Sequence, residues 1–579
     1  MKLKLLTTAL LLMVCAATLL ANSEIKKRQA FRAAIEKNPE SFHFCPCFFH
    51  ATGVCYTPDW RNSTQRKISD SGDMKTIGFD NDLYLRQQSE EILNRAARFD
   101  NKLYLEFGGK LAYDLHAARI LPGFDPNVKL QLLQRLRDKI DVVICIYAGD
   151  IERKKIRADF GIAYDADTMR IIDNLREHGI SVKAVVVTRY DGHPAVNSFI
   201  NKLERRGIRV YKHNSIKGYP ADVDLIVSEN GYGANEYIET EKPIVIVTGP
   251  GPSSGKMATC LSQVYHEHLR GVSAGYAKFE TFPVWNLPLN HPVNIAYEAA
   301  TADIGDVNMV DSFHLEATGQ TAINYNRDIA IFPVVRRICE RIMGKDQAYV
   351  SPTDMGVNRV GFAISDDEVV SAASCQEIIR RYFRALCDYA VGREEKCVSQ
   401  RIKLLMDELN INELDRNVVL PARKAAEEAA ASPEHYGSEN IFCGAALELH
   451  DGTIITGKNS PLLHAASSCV INAIKHLAGL PKDLHLLSRE VIESVGKLKH
   501  DVFKDKQISL ALSETLTALS VSTPSNPAAA LAMSQLSQLA GCEMHISHMP
   551  AQGDETGLRK LGIHLTSEPV FTSRNLFME

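Results

Sequence analysis

Residues 243–269 read PIVIVTGPGPSSGKMATCLSQVYHEHL, and their reading decides the fold. After Pro243 comes an unbroken apolar run, Ile244–Val247, closed by Thr248. A strand with one wet face alternates apolar and polar residues; a run without alternation predicts a parallel strand buried on both faces. Glycine, proline and serine fill 249–255, and Lys256 opens a helix. Glycines let backbone amides approach a phosphate closely. The helix start adds partial positive charge, and the lysine adds a full one. Gly249, Gly251, Ser253, Ser254, Gly255 and Lys256 are therefore the candidate phosphate or nucleotide ligands. The stretch resembles a P-loop but departs from G-x-x-x-x-G-K-[ST] twice. Pro250 stands at the first glycine, and Met257 replaces the hydroxyl that would meet magnesium. Thr259, two residues on, is the candidate substitute.

Upstream the same grammar repeats. KLYLEFGG from Lys102, DVVICIYAGD from Asp141, VKAVVVTRY from Val182, RVYKH from Arg209 and VDLIV from Val223 read as strands. Between them LLQRLRDKI, TMRIIDNLREHGI and SFINKLERRGI have helical spacing. Alternation of this kind predicts an α/β, doubly wound, mostly parallel sheet, with ligands at the carboxyl ends of its strands. The residues after each run are therefore the place to look for a site. Gly108 and Gly109 follow a strand and Lys110 begins a helix, a second glycine turn with the same capacity for an anion. Arg153 and Arg157, spaced i,i+4 after a buried strand, would share a helix face and could clamp a phosphate or carboxylate. A solvated helix face is the plainer reading of that pair. Arg189 follows another strand end.

A polar constellation runs from Phe282 to Gly319. Within it Asp311, His314 and Glu316 are candidates for holding a metal or moving a proton, set against a hydrogen-bonded loop. Asp354 and Asn358 in SPTDMGVNRVGFAI are candidate substrate contacts, with a helix cap by Ser351 or Thr353 as the alternative. His314-Leu315-Glu316 matches half of a zinc-deaminase signature, but no P-C-x-x-C follows, so no zinc is expected.

The chain has 579 residues, enough for about three or four domains. Hydrophobic residues at 45% and charged residues at 23% describe a globular protein, not a disordered one. Lys+Arg 66 against Asp+Glu 70 gives −4, so no global basic field draws the chain to nucleic acid. Met1–Ala21 has the form of a secretory signal. Residues 1–73 form an irregular extension that includes Cys45, Cys47 and Cys55, whose spacing fits no standard zinc pattern. The remaining cysteines are scattered singly, as in a reduced cytoplasmic protein. Translation from Met74 with a cytoplasmic product is the favoured expectation, and export through residues 1–21 the alternative. Beyond the extension we expect a Rossmann-like region over 74–240 and a P-loop-like region over 241–365. A helical linker over 366–432 follows, then a small α/β domain over 433–579. In the last, two alternating runs meet at His450-Asp451-Gly452, which predicts a hairpin. His464-Ala465-Ala466 opens the next helix where a zinc deaminase would carry a ligand and a glutamate.

Seven segments carry a resemblance to a bacterial family, the domain-of-unknown-function family 1846. They are LYLEFGGKL, CIYAGDIERKKIRADFGI, NKLERRGIRVYKH, SENGYGANEYIET, GPSSGKMATCLSQVYHEH, SPTDMGVNRVGFAI and GKNSPLLHAASSCVINAIKHLAGL. The resemblance spans nearly the whole body from Met74. It implies the fold and a start near Met74, and it carries no catalytic residues. The residues themselves point to an ATP-dependent kinase- or ligase-like enzyme acting on a small anionic molecule, with ATP and magnesium as cofactors. A non-catalytic phosphometabolite-binding or regulatory protein is the alternative. No nucleic-acid partner and no membrane contact of the body are expected, and a homo-oligomer is left open.

Overall fold

The apolar runs of the first half become six strands. In chain order these are β1 (Leu103–Phe107), β2 (Ile140–Tyr147), β5 (Val182–Tyr190), β6 (Val210–Asn214), β7 (Ile244–Thr248) and β8 (Gly275–Phe279). Between β2 and β5 lies a two-residue antiparallel pair, β3 (Ile156–Arg157) with β4 (Ile162–Ala163). The computed structural model describes residues 77–573 except 158–161, 346–347, 433–436, 438–439 and 506. The signal-like run, the extension 1–73 with Cys45, Cys47 and Cys55, and most of the turn-rich break at Pro433 lie outside the described residues.

The six strands form one sheet in the order β6-β5-β2-β7-β1-β8. Every pairing in it is parallel. β1 and β7 are buried at every position, which is why their sequences show no alternation. From β2 the chain moves to its neighbour β5. From β7 it moves the other way, across β1, to β8, and the helix Lys256–Leu269 packs on β1, β7 and β8. Two adjacent strands that send the chain in opposite directions open a crevice at their carboxyl ends. Here that crevice lies between β2 and β7.

Two expectations fail locally. Val223–Ile226 is a short helix, not a strand, because the Asp222 carboxylate caps it by accepting from Leu225 N at 3.1 Å. Arg153 and Arg157 do not share a helix face: the helix Ala148–Glu152 ends at Arg153, and Arg157 sits in β3. Lys154 at φ +50° turns the chain between them.

Beyond β8, a hairpin of β9 (Asn308–Val310) and β10 (Ile323–Tyr325) precedes the long helix Asn326–Met343. The helices Pro292–Ala300, Asp367–Ala390 and Lys396–Glu408 then pack together around Phe282, Val293, Ile378, Phe383 and Met406. The last third holds a second sheet, in the order β12-β11-β13-β14. Its strands are β11 (Gly444–Glu448), β12 (Ile454–Lys458), β13 (Glu543–Ile546) and β14 (His564–Ser567). β11 runs antiparallel to both neighbours, and β13 pairs β14 in parallel. No helix among the described residues is long and apolar enough to cross a membrane.

Candidate functional site

The loop after β7 sits at the crevice. Its path requires glycine at both ends. A β-carbon on Gly249 would lie 2.4 Å from the Cys145 carbonyl oxygen of β2. Gly255 has φ +90°, and a β-carbon there would lie 2.8 Å from Thr188 Cγ2. The loop carbonyls turn toward the protein. Thr188 Oγ1 donates to Ser254 O at 2.8 Å, and the Arg189 guanidinium donates to Ser253 O. Arg189 is itself stacked 3.4 Å from the Tyr147 ring centroid, so it buttresses the loop from behind. With the carbonyls turned inward, the amides of Ser253, Ser254 and Gly255 are left without hydrogen bonds among the described residues. Lys256 Nζ reaches Gly251 O at 3.3 Å and Ser254 Oγ at 3.5 Å. Among the described residues it forms no ion pair. Thr259 is buried beneath the loop, its amide on Gly255 O at 3.0 Å. Arg153 is tied to Asp150, and the Arg157 side chain lies outside the described residues.

The glycine turn after β1 is differently used, and Lys110 does not begin a helix: the next helix starts at Leu115, where the Asp114 side chain caps it. Gly108 N donates to Phe279 O at 2.8 Å, so that amide is already taken. Gly109 has φ +68°. Behind the turn, Lys129, only 2% exposed, donates to Gly108 O at 3.3 Å and pairs with Asp114 Oδ2 at 3.3 Å. Lys110 is half-buried just beyond.

A cavity of about 220 Å³ opens next to this turn, at the end of β8. It is lined by Arg95, Lys278, Glu280, Trp285, His314, Asp328 and Arg359, among others. Lys278 pairs with Glu280 at 3.0 Å and with Asp328. Burial alone would lower the Lys278 pKa, but Asp328, Glu280 and Glu106 together hold it above the usual lysine range. Glu280 accepts from Tyr325 Oη at 2.6 Å. Burial raises its carboxyl above the ordinary range; Lys278 opposes that, and Asp328 adds to it. Glu280 also packs on the glycine turn, since a β-carbon on Gly108 would meet its Cγ at 2.8 Å. Arg359 pairs with Glu91, while Arg95 is held by the Asp354 carbonyl at 2.6 Å and has an unpartnered, buried Nε.

The remaining candidates divide. His314 lines the cavity, with Nδ1 3.0 Å from Ser351 Oγ. Asp311 is fully buried and taken up by capping: Oδ1 accepts from His314 N, and Oδ2 from Thr353 N and Oγ1. Glu316 is exposed on the helix Ser312–Thr318. The three therefore do not converge on one point. Asp354 accepts from Val350 N at 3.1 Å. Asn358 lines the cavity, with Nδ2 donating to Thr281 O and Pro283 O. No group of three or more His, Cys, Asp or Glu among the described residues could hold a metal ion. In the last third, His464 Nδ1 lies 2.7 Å from Asp554 Oδ2.

Sequence reasoning passed over Lys129, Lys278, Glu280, Asp328 and Arg95. For Lys278 and Glu280 a signal existed. GYAKFE places two opposite charges at i and i+2 in an otherwise apolar run, and such residues share one side of an extended chain. For Lys129, inside an ordinary amphipathic helix, there was none.

The family model described as Domain of unknown function DUF1846, N-terminal, matches residues 77–410. Its C-terminal counterpart matches residues 414–577. A UPF0371 protein of Clostridium botulinum (strain Alaska E43 / Type E3) is 57% identical over 502 residues, covering 86% of this chain and 99% of that protein. A UPF0371 protein of Clostridioides difficile (strain 630) is 55% identical over 502 residues, with the same two coverages of 86% and 99%.

Proposed function

From the premise that the chain belongs to the DUF1846 family, we propose that it is a nucleotide- or phosphate-binding enzyme, ATP-dependent and kinase- or ligase-like. The loop 249–256 takes the phosphates of the nucleotide, and a small metabolite occupies the cavity at the end of β8. One observation carries this reading. Amides with no hydrogen-bond partner among the described residues, Ser253 to Gly255, sit beside an ammonium with no ion pair among them, Lys256, at the switch point of a parallel sheet. β7 and β8 are separated only by β1, so the strand ends that carry the loop and the cavity lie roughly 10 Å apart. A triphosphate seated on the loop would have to extend toward the cavity, so that its terminal phosphorus and the attacking oxygen meet within about 3.5 Å. Lys256 stabilises the charge on the group in transit. Glu280, a buried carboxyl with a raised pKa in the cavity, is the group we assign to accept the proton of the attacking metabolite. Asp311 receives no chemical role, because both of its oxygens cap backbone. The metabolite is expected to be small and anionic, with Arg95, Lys278 and Arg359 as the cations that line the cavity. Magnesium would travel on the nucleotide phosphates, since Met257 offers no ligand.

Met257 also favours a second reading, a protein that binds a phosphorylated metabolite without turning it over. Calorimetric titration with ATP and magnesium, and separately with pyrophosphate, tests both. Saturable binding that weakens about tenfold or more in Lys256→Ala supports the loop. Product formation then separates enzyme from binder. Absence of binding by any nucleotide or by pyrophosphate at millimolar concentration removes both readings.

A further inference from the structure

Glu377 lies on the helix Asp367–Ala390, faces the helix Leu115–Ile120, and is 1% exposed. Its carboxylate accepts from Arg119 Nε at 2.7 Å and Nη2 at 3.2 Å, from Arg380 Nε at 2.7 Å, and from Arg381 Nε at 3.1 Å. His116 Nδ1 is 2.8 Å away. Three guanidinium groups thus share one negative charge. Burial and Arg381 push the His116 pKa down to about 4, so the imidazole adds no charge at neutral pH. The neighbouring carboxylates are otherwise engaged. Glu543, which acts on Arg380, is held by Arg416 at 2.6 Å and by His564 at 2.9 Å. Asp388 is held by Arg384 at 2.7 Å.

The cluster therefore carries about two positive charges more than it balances, in side chains only 15%, 17% and 28% exposed for Arg119, Arg380 and Arg381. Buried charges are stable when paired, and an unbalanced pair of them is costly. The cost is visible on Arg380, whose pKa burial and Arg119 bring down to about 9. Glu377 engages Nε and in part Nη2 of these arginines. The Nη1 group of each has no hydrogen bond among the described residues and is not among the sealed, unpartnered atoms. Three guanidinium edges that still reach solvent match the several acceptor oxygens of a tetrahedral dianion.

We propose that Arg119, Arg380 and Arg381 form a binding site for a small divalent oxyanion of the phosphate or phosphomonoester class, separate from the loop at 249–256. The site stands independently of the proposed function. It lies on a helix that also packs against β14, so its occupancy braces the contact between the helical middle and the last third of the chain.

The test uses the full chain with Lys256→Ala, which removes the loop lysine, and titrates inorganic phosphate and glycerol 3-phosphate at constant ionic strength against chloride. Saturable binding with a rise in Tm is expected, weakened at least tenfold by Arg381→Gln. Arg119→Lys keeps the charge but loses the fork, and weakens binding several-fold while leaving the fold intact if the Gln variant is unstable. Tighter binding of glycerol 3-phosphate identifies an esterified ligand, and equal binding identifies free phosphate; either upholds the site. No saturable binding of either probe to Lys256→Ala overturns the proposal. So does binding that both arginine variants leave unchanged.

Discussion

Gly249→Ala probes the loop without removing any charge or hydrogen-bonding group. The added methyl carbon would stand 2.4 Å from the Cys145 carbonyl oxygen and 2.6 Å from Ser254 Oγ. A relaxed carbon–oxygen contact is roughly 1 Å longer than the first of these. Cys145 is fully buried in β2, between β5 and β7, so its carbonyl cannot yield without disturbing the sheet. The loop must rise instead, by about that ångström. Overpacking of this kind costs about 1–3 kcal/mol of stability. The effect on binding is larger, because an amide donor moved by roughly 1 Å loses most of its bond, and hydrogen bonds to charged groups contribute about 1.5–3 kcal/mol each. Losing two of the three amide contacts predicts a drop of about 100-fold or more in affinity for ATP or pyrophosphate. Gly271→Ala is the control. It has φ +80° and open space around it, just past the far end of the same helix, so it costs stability through left-handed strain, which Gly249 does not carry, without touching the loop. Isothermal titration measures affinity, and calorimetric unfolding measures stability. If Gly249→Ala binds within about threefold of the parent protein while Gly271→Ala behaves as expected, the loop geometry is not what recognises the phosphates.

Three further outcomes follow from buried charges. His116 is held neutral, with its pKa near 4 against 6.5 for a free imidazole, so stability is complete above pH 6.5 and falls as pH drops toward 4, by at most ~3 kcal/mol. His116→Gln should flatten that part of the urea-midpoint profile, and an unchanged slope would contradict the assignment. Glu280 has a raised carboxyl pKa, so its ionisation costs stability as pH rises through the folded value. Glu280→Gln should gain on the parent protein as pH rises, measured by chemical denaturation across a pH series; no such gain would mean that the Lys278 pair dominates. Arg416 is 1% exposed and donates to Met544 O, His564 O and Thr566 Oγ1 besides pairing with Glu543. Arg416→Ala strips the buried Glu543 carboxylate of its arginine, leaving it only His564, and should cost about 3–5 kcal/mol in equilibrium unfolding, where a cost under about 1 kcal/mol would show solvent filling the gap.

The parallel sheet was legible because its central strands are wet on neither face, so composition alone marks them. β8 was not. Gly275 and Ala277 have little preference for strands, and β8 forms because β1 offers it an edge and Tyr349 donates to Tyr276 O. Val223–Ile226 failed the other way: a β-branched run in a four-residue segment yields to one aspartate cap. The loop at 249–256 could be placed, but the direction of its amides could not, since that depends on Thr188 and Arg189 from another strand. Asp311 shows the converse. As a carboxylate near a histidine it invites a chemical reading, yet Asp followed by a short helix is equally a cap, and Thr353, 42 residues on, settles which. Charge is the property least readable along the chain. A sum of −4 describes a surface of mixed sign, but burial selects which charges meet. Arg119 reaches Glu377 across 258 residues, and Arg380 and Arg381 reach it from the same helix. A chain that is acidic in total thereby encloses a local cationic excess, and what that excess attracts depends on contacts that only the folded structure brings together.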